Sequence, residues 1–108
     1  MIPIQYKRDE FKNVKDYYVT KCVAELLQPE LINLMLILID SMETEERDYL
    51  QVFTLCDKND YIEVIHEQEE PEYTKTIHFM CDKASFPEQK IFVIAEDNIC
   101  TILLNSEY

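Results

Sequence analysis

Hydrophobic and polar positions change period several times along the chain, and each change marks an element. DYYVTKCV (16–23) alternates and is rich in β-branched and aromatic side chains, which predicts a first strand. A helix follows. Pro29 suits its first turn, Glu30 sits where the helix dipole favours an acid, and Leu31 to Met42 run on without a breaker. Only Asn33, Asp40 and Ser41 are polar in that run. Leu31, Leu34, Met35, Leu38 and Met42 make one stripe at helical spacing, and Ile32, Leu36 and Ile39 make a second. One face of a sheet covers the first stripe. The second requires its own cover, either from an N-terminal arm carrying Ile2, Ile4, Tyr6 and Phe11 or from a second protomer. The arm's charge favours the protomer, so Ile32, Leu36 and Ile39 are the expected dimerisation residues.

The second half reads as strands. DYLQVFTLC (48–56) carries bulky groups at both parities, as a central strand does. Asp57-Lys58-Asn59-Asp60 is turn chemistry for a chain without glycine, because Asn and Asp tolerate left-handed backbone best. DYIEVIHEQ (60–68) and EYTKTIHFM (72–80) follow, joined across Glu69-Glu70-Pro71. KASFPEQ (83–89) reads as a loop, and KIFVIAE and NICTILLN as a hairpin across Asp97-Asn98. This order predicts an α+β fold with one main helix packed on a five- to six-stranded, mostly antiparallel sheet. Residues 1–15 lack a period and are expected to form a mobile or extended arm, and residues 16–108 a single domain, as the length of 108 residues suits.

Composition then excludes much chemistry. There is no glycine, and phosphate-binding loops, dinucleotide fingerprints and strained nucleophile elbows all need it. Cys22, Cys56, Cys81 and Cys100 are scattered, with no Cys-x-x-Cys pair, and read as reduced thiols buried as small hydrophobes. The N-terminus shows no signal-peptide stretch, and the longest apolar run, Leu34 to Ile39, is far short of a bilayer span. A soluble cytoplasmic protein is expected.

The candidate catalytic signals are weak. His78 and Cys81 are three apart on a strand edge, where such residues point to opposite faces and cannot ligate one metal together. Glu88-Gln89-Lys90, with Asp82 or Asp60 upstream, imitates a metal-nuclease signature, but a chain this rich in acids produces such triplets by chance. No metal, cofactor or catalytic residue is expected. The charge is more telling. The formal net charge is -12, and the five bases and three acids of residues 1–21 leave -14 on the rest. That repels nucleic acid and anionic membranes and attracts basic surfaces. Asp60, Glu63, Glu67, Glu69, Glu70 and Glu72 form a tract without Lys or Arg. Glu63, Glu67 and Glu69 share one strand face with Tyr61 and Ile65, and residues i and i+2 lie about 6.7 Å apart there, close to the spacing of phosphates on a nucleic-acid strand. A solvated edge whose charges prevent unwanted strand pairing is the plainer explanation. The same row suits a phosphate mimic, with Tyr61 as an aromatic anchor.

Several stretches together resemble a known family. Tyr18-Val19-Thr20-Lys21, DYLQVF (48–53), IHEQEEPEY (65–73), KIFVI (90–94) and TILL (101–104) are similar, in the same order, to a family of short acidic domains of unknown function from Gram-positive bacteria and their mobile elements. DYLQVF and the HxQExPxY pattern are its most specific parts. The family has no catalytic residues to carry over. The resemblance implies an inhibitory role, because some similar proteins on mobile elements are anti-CRISPR inhibitors of the type II effector nuclease, whose channels for guide RNA and target DNA are basic. The expected function is therefore a non-enzymatic acidic inhibitor that blocks guide RNA or DNA binding by such a nuclease, through Asp60, Tyr61, Glu63, Glu67, Glu69, Glu70 and Glu72. The alternative is a cytosolic homodimeric protein-interaction module, and a small metal-dependent hydrolase on Glu88 and Lys90 stands third.

Overall fold

The computed structural model describes residues 1–6, 14–81 and 88–108. Phe11, Asp82 and most of the 83–89 loop lie outside the described residues. The elements are β1 (Ile2–Ile4), β2 (Asp16–Val19), α1 (Lys21–Leu26), α2 (Pro29–Asp40), β3 (Leu50–Asp57), β4 (Tyr61–Gln68), β5 (Tyr73–Met80), β6 (Gln89–Glu96) and β7 (Ile99–Leu104), closed by a 3₁₀ turn at Asn105–Glu107. All seven strands form one sheet in the order β1-β2-β7-β6-β3-β4-β5.

This corrects the expected fold class. The sheet has seven strands, not five or six, because Ile2–Ile4 pairs with β2. It is mixed, because β2 and β7 run parallel. The helical part is two short helices, not one main one. Lys21–Leu26, whose first residues look like the end of a strand, is α1. Thr20 caps it, its hydroxyl accepting the Val23 N–H at 3.3 Å. The Tyr17–Val19–Lys21–Val23 alternation hides a helical set, Val23, Leu26 and Leu27, behind that cap. The hairpin turns hold as expected: Asn59, Asp97 and Asn98 take positive φ of 77°, 53° and 67° in place of glycine.

α2 lies against one face of the sheet. Its side chains Leu31, Met35 and Ile39 meet Phe53, Leu55, Val64, Ile91, Val93 and Ile102 in the core. At about 100° per residue, Leu38, Leu31, Met42, Met35, Ile39, Ile32 and Leu36 form one wide face rather than two stripes. Ile32, Leu36 and Ile39 are 7%, 2% and 1% exposed within the single chain. β1, β2, α1 and the Leu27 cap after it border Ile32 and Leu36, through Ile4, Val19, Ala24 and Leu27. Arg47 closes the far end of α2, its guanidinium donating to the carbonyls of Ile39, Asp40, Met42 and Thr44. Among the described residues no helix is long and apolar enough to cross a membrane.

Beside this apolar core lies a buried polar knot. Gln51 Nε2 donates to Gln68 Oε1 at 2.7 Å and to the Asp48 carbonyl at 3.0 Å. Gln51 Oε1 is therefore the acceptor, and His66 Nε2–H donates to it at 2.7 Å. Gln68 Oε1 also accepts the Asp48 N–H, and its Nε2 donates to the carbonyls of Glu46 and Pro71. The His66 ring stacks on Phe53 at 4.3 Å and meets the edge of Tyr73 at 5.4 Å, while Nδ1 finds no hydrogen-bond partner among the described residues.

Burial holds the His66 pKa down at about 4, with Arg47 and Lys75 adding to the effect. The folded value lies below the unfolded value near 6.5, so the unfolded chain binds the extra proton first. Stability is then unaffected above pH 6.5 and falls as pH drops towards 4, by about 3 kcal/mol from this group alone. Urea unfolding of the native protein and of His66→Phe across that range should show the native protein losing stability relative to the variant. A Gln68→Met variant should lose about 2–3 kcal/mol at neutral pH, because it leaves several buried partners unsatisfied.

Candidate functional site

The face of the sheet away from the helices is only partly covered. Chain-terminal residues fold over its β6–β7 half, where the Tyr108 ring packs edge-on against Phe92 at 5.5 Å and Ile94 and Leu103 are buried. The Asn105–Glu107 turn is held by Glu107, whose carboxylate accepts the Leu104 N–H at 2.9 Å and the Thr20 hydroxyl at 2.8 Å. These hydrogen bonds, the first foremost, keep that carboxyl below its ordinary pKa. The β3–β4–β5 half of the open face keeps its side chains partly or fully exposed.

Alternation along β4 sorts the acidic tract. Ile62, Val64, His66 and Gln68 point to the core side, and Tyr61, Glu63, Ile65 and Glu67 point to the open face. Glu69, Glu70 and Glu72 follow in the β4–β5 turn. Asp60 lies in the β3–β4 turn, the length of an eight-residue strand away, about 24 Å. The tract is therefore divided. Glu67, Glu69 and Glu72 gather with Asp48 around an open depression of about 550 Å³, which Tyr49, Leu50, Val52, Gln68, Thr74 and Lys90 also line. The knot builds one wall of it, since Asp48 Oδ2 accepts the Glu70 N–H at 3.2 Å and Gln68 ties Asp48 to the turn. The Glu70 side chain is exposed but does not line the depression. Glu63 stands apart, opposite Cys56 on β3 and His78 on β5. Tyr61 is half-buried, its ring stacked on His78 at 4.2 Å.

Asp48, Tyr49 and Lys90 belong to this site, and the acidic tract did not point to them. The Asp48-Tyr49 pair repeats the acid–aromatic dipeptide of Asp60-Tyr61 and follows the acidic connection Glu43, Glu45, Glu46 after Arg47. That composition was the available signal. Tyr49 is 40% exposed, and its carbonyl accepts the Ala95 N–H, which fixes the backbone at the rim. Four carboxyl side chains and one lysine line the depression over the apolar groups of Leu50 and Val52. That arrangement suits a cationic group on an aliphatic stem.

The other candidates separate. Glu88 accepts a hydrogen bond from the Cys56 thiol at 3.0 Å, and that bond, with burial and the carboxylate charge, raises the thiol's pKa. The nearby Glu107 charge does the same for Cys22. His78 faces the open side, whereas Cys81 packs on the core side and accepts from Gln28 at 3.4 Å. Of the four free cysteines only Cys100 is fully buried. Among the described residues no group of three or more His, Cys, Asp or Glu could hold a metal ion.

Residues 16–107 match the family model described as a Staphylococcal protein of unknown function (DUF960). The chain belongs to this family. The DUF960 chain is also similar to a crystal structure of a protein of unknown function from Enterococcus faecalis, at 22% identity and a TM-score of 0.79, over 94% of this chain and 98% of that one. At that identity the likeness establishes the fold alone. No curated protein matches.

The side chains of Glu67, Glu69 and Glu72 make no hydrogen bond among the described residues, and they crowd like charges at one place. A DUF960 variant carrying Glu67→Lys, Glu69→Lys and Glu72→Lys should keep its stability to within about 0.5 kcal/mol per site or gain slightly. Urea unfolding at low and high salt checks this.

Proposed function

We propose that this domain acts by binding a basic protein surface, through the acid-lined half of its open sheet face, and not by catalysis. The depression at Asp48, Glu67, Glu69 and Glu72 carries the reading. It combines a concentration of negative charge with an apolar floor and an exposed tyrosine at its rim. Such a surface accepts lysine and arginine side chains by charge and by stem packing together. The net charge of -12 adds long-range attraction to the same class of partner and repels nucleic acid itself.

In its specific form the proposal is an anti-CRISPR inhibitor that occupies a guide-RNA or DNA channel of the type II effector nuclease. The resemblance of DYLQVF and IHEQEEPEY to short acidic domains of mobile elements supports that form. The split of the acidic tract alters its mechanism. Asp60, Glu63 and the Glu67–Glu72 group do not make an unbroken ladder of phosphate-like charges. The contact is instead a cluster at one end of β4, with Glu63 as an outlier.

The test is capture of the purified effector nuclease by the immobilised domain. Binding should weaken steeply as salt rises from about 50 to about 200 mM, as displacement of several ion contacts requires. The Glu67→Lys, Glu69→Lys, Glu72→Lys variant should lose binding at every salt concentration. Equal capture by that variant would move the contact away from the depression. Failure to capture the nuclease at low salt, beside retention of other strongly basic proteins, would remove the CRISPR form and leave the broader one standing.

A further inference from the structure

The two ends of the sheet are built differently. At the β1 end, the Thr20 N–H donates to the Ile102 carbonyl at 3.0 Å, so the backbone groups of Tyr18 and Thr20 face β7. Those of Tyr17 and Val19 then face β1, where their register partners Ile4 and Ile2 face back. Pro3 is left as the outward residue of a three-residue strand, and it has no N–H. This edge is blunted.

The β5 end is not. The Lys58 N–H donates to the Tyr61 carbonyl at 2.9 Å, and the registers of β3 with β4 and of β4 with β5 run without a bulge. Tyr61, Glu63, Ile65 and Glu67 therefore turn their backbone groups to β3, and Ile62, Val64, His66 and Gln68 turn theirs to β5. In β5 the residues Tyr73, Lys75, Ile77 and Phe79 answer them. Thr74, Thr76, His78 and Met80 direct four N–H and four C=O groups outward, and no strand among the described residues pairs with them. None of the four is a proline.

The surroundings define what fits. The side chains of Thr74, Thr76, His78 and Met80 lie on the open face, with Thr74 beside Glu67 and His78 beside Glu63 on β4. A strand added outside β5 would stand about 10 Å from β4, two strand spacings. A lysine or arginine on it could pass over Thr74 to meet Glu67, and over Thr76, diagonal to Glu63 and beside the His78 ring, to meet Glu63. Lys75, the one charged residue of β5, sits on the other face. A second copy fits poorly, because it would bring a further -12 and set both groups of acids on one surface.

We propose that the outer edge of β5 takes a basic, extended polypeptide segment as an additional strand. Its backbone pairs with Thr74, Thr76, His78 and Met80, and its cationic side chains reach to Glu63 and Glu67. This rests on the basic-partner reading above and specifies how such a partner is met.

Amide hydrogen exchange of the full chain tests it, with an octapeptide of alternating lysine and threonine as the probe at low ionic strength. At about ten times the peptide's dissociation constant, exchange at Thr74, Thr76, His78 and Met80 should slow about tenfold. Tyr73, Lys75, Ile77 and Phe79, already bonded to β4, should not change. A glutamate–threonine octapeptide should protect none of them. Thr76→Pro removes one outward donor without touching the ladder to β4, and should lower peptide affinity at least tenfold while the variant stays folded. Salt-sensitive binding without the alternating protection would overturn strand addition and leave the basic-partner reading intact. Absence of peptide binding, undiminished affinity in Thr76→Pro, or the same protection pattern on concentrating the protein alone would each overturn the proposal. The wild-type exchange pattern decides the question even if Thr76→Pro does not fold.

Discussion

The hydrogen bond between Gln51 and Gln68 fixes more of this molecule than any single apolar contact. It joins two fully buried amides on neighbouring strands, and each amide then directs its remaining groups outward. Gln51 sets the tautomer of His66, and Gln68 holds the backbone of Asp48, Glu46 and Pro71. The connection after α2, the start of β3 and the β4–β5 turn are therefore located by one network. In a low-dielectric interior such bonds are strong when complete and costly when any member is missing. The network thus gives its register and turn geometry a sharpness that generic burial of Val and Ile does not.

This gives a physical role to two of the stretches on which the resemblance was read. DYLQVF contributes Asp48, Gln51 and Phe53 to the knot. IHEQEEPEY contributes His66, Gln68, Pro71 and Tyr73. The two segments are thus two halves of one structural device, and the acids of the β4–β5 turn are positioned by it. The signature speaks first for how the turn is built. The acid-lined depression is its consequence on the surface.

Much of the fold was legible because period and turn chemistry are local. The β3–β4–β5 meander, the β6–β7 hairpin and α2 follow from alternation, Asn and Asp at turns, and Pro29 at a helix start. What escaped was non-local or hidden. Strand β1 is too short to show a period, and its partner lies well along the chain. The parallel pairing of β2 with β7 leaves no mark in either segment. α1 was masked by alternating residues that also satisfy helical spacing once Thr20 is read as a cap. In the site, alternation placed Glu63, Glu67 and Glu69 on one strand face, and Glu63 and Glu67 do share it, but β4 ends at Gln68 and Glu69 lies in the turn; the gathering of Asp48, Tyr49 and Lys90 with Glu67 required the order of strands. Ile32, Leu36 and Ile39, expected to need a second protomer as cover, belong to one wide buried face of α2, and the place of that face beside β1, β2 and α1 depends on pairings that no local pattern reveals.

The unequal ends of the sheet have a further consequence for stoichiometry. A polymer built edge to edge needs two competent ends on every unit, one to accept and one to donate. Here Pro3 and the brevity of its strand disable one end. Any association through the other must stop after a single step, at one partner per domain. The same acidic chain that leaves eight backbone groups of β5 without a strand partner among the described residues is therefore protected against growing into a fibre, because its sheet can be extended only once.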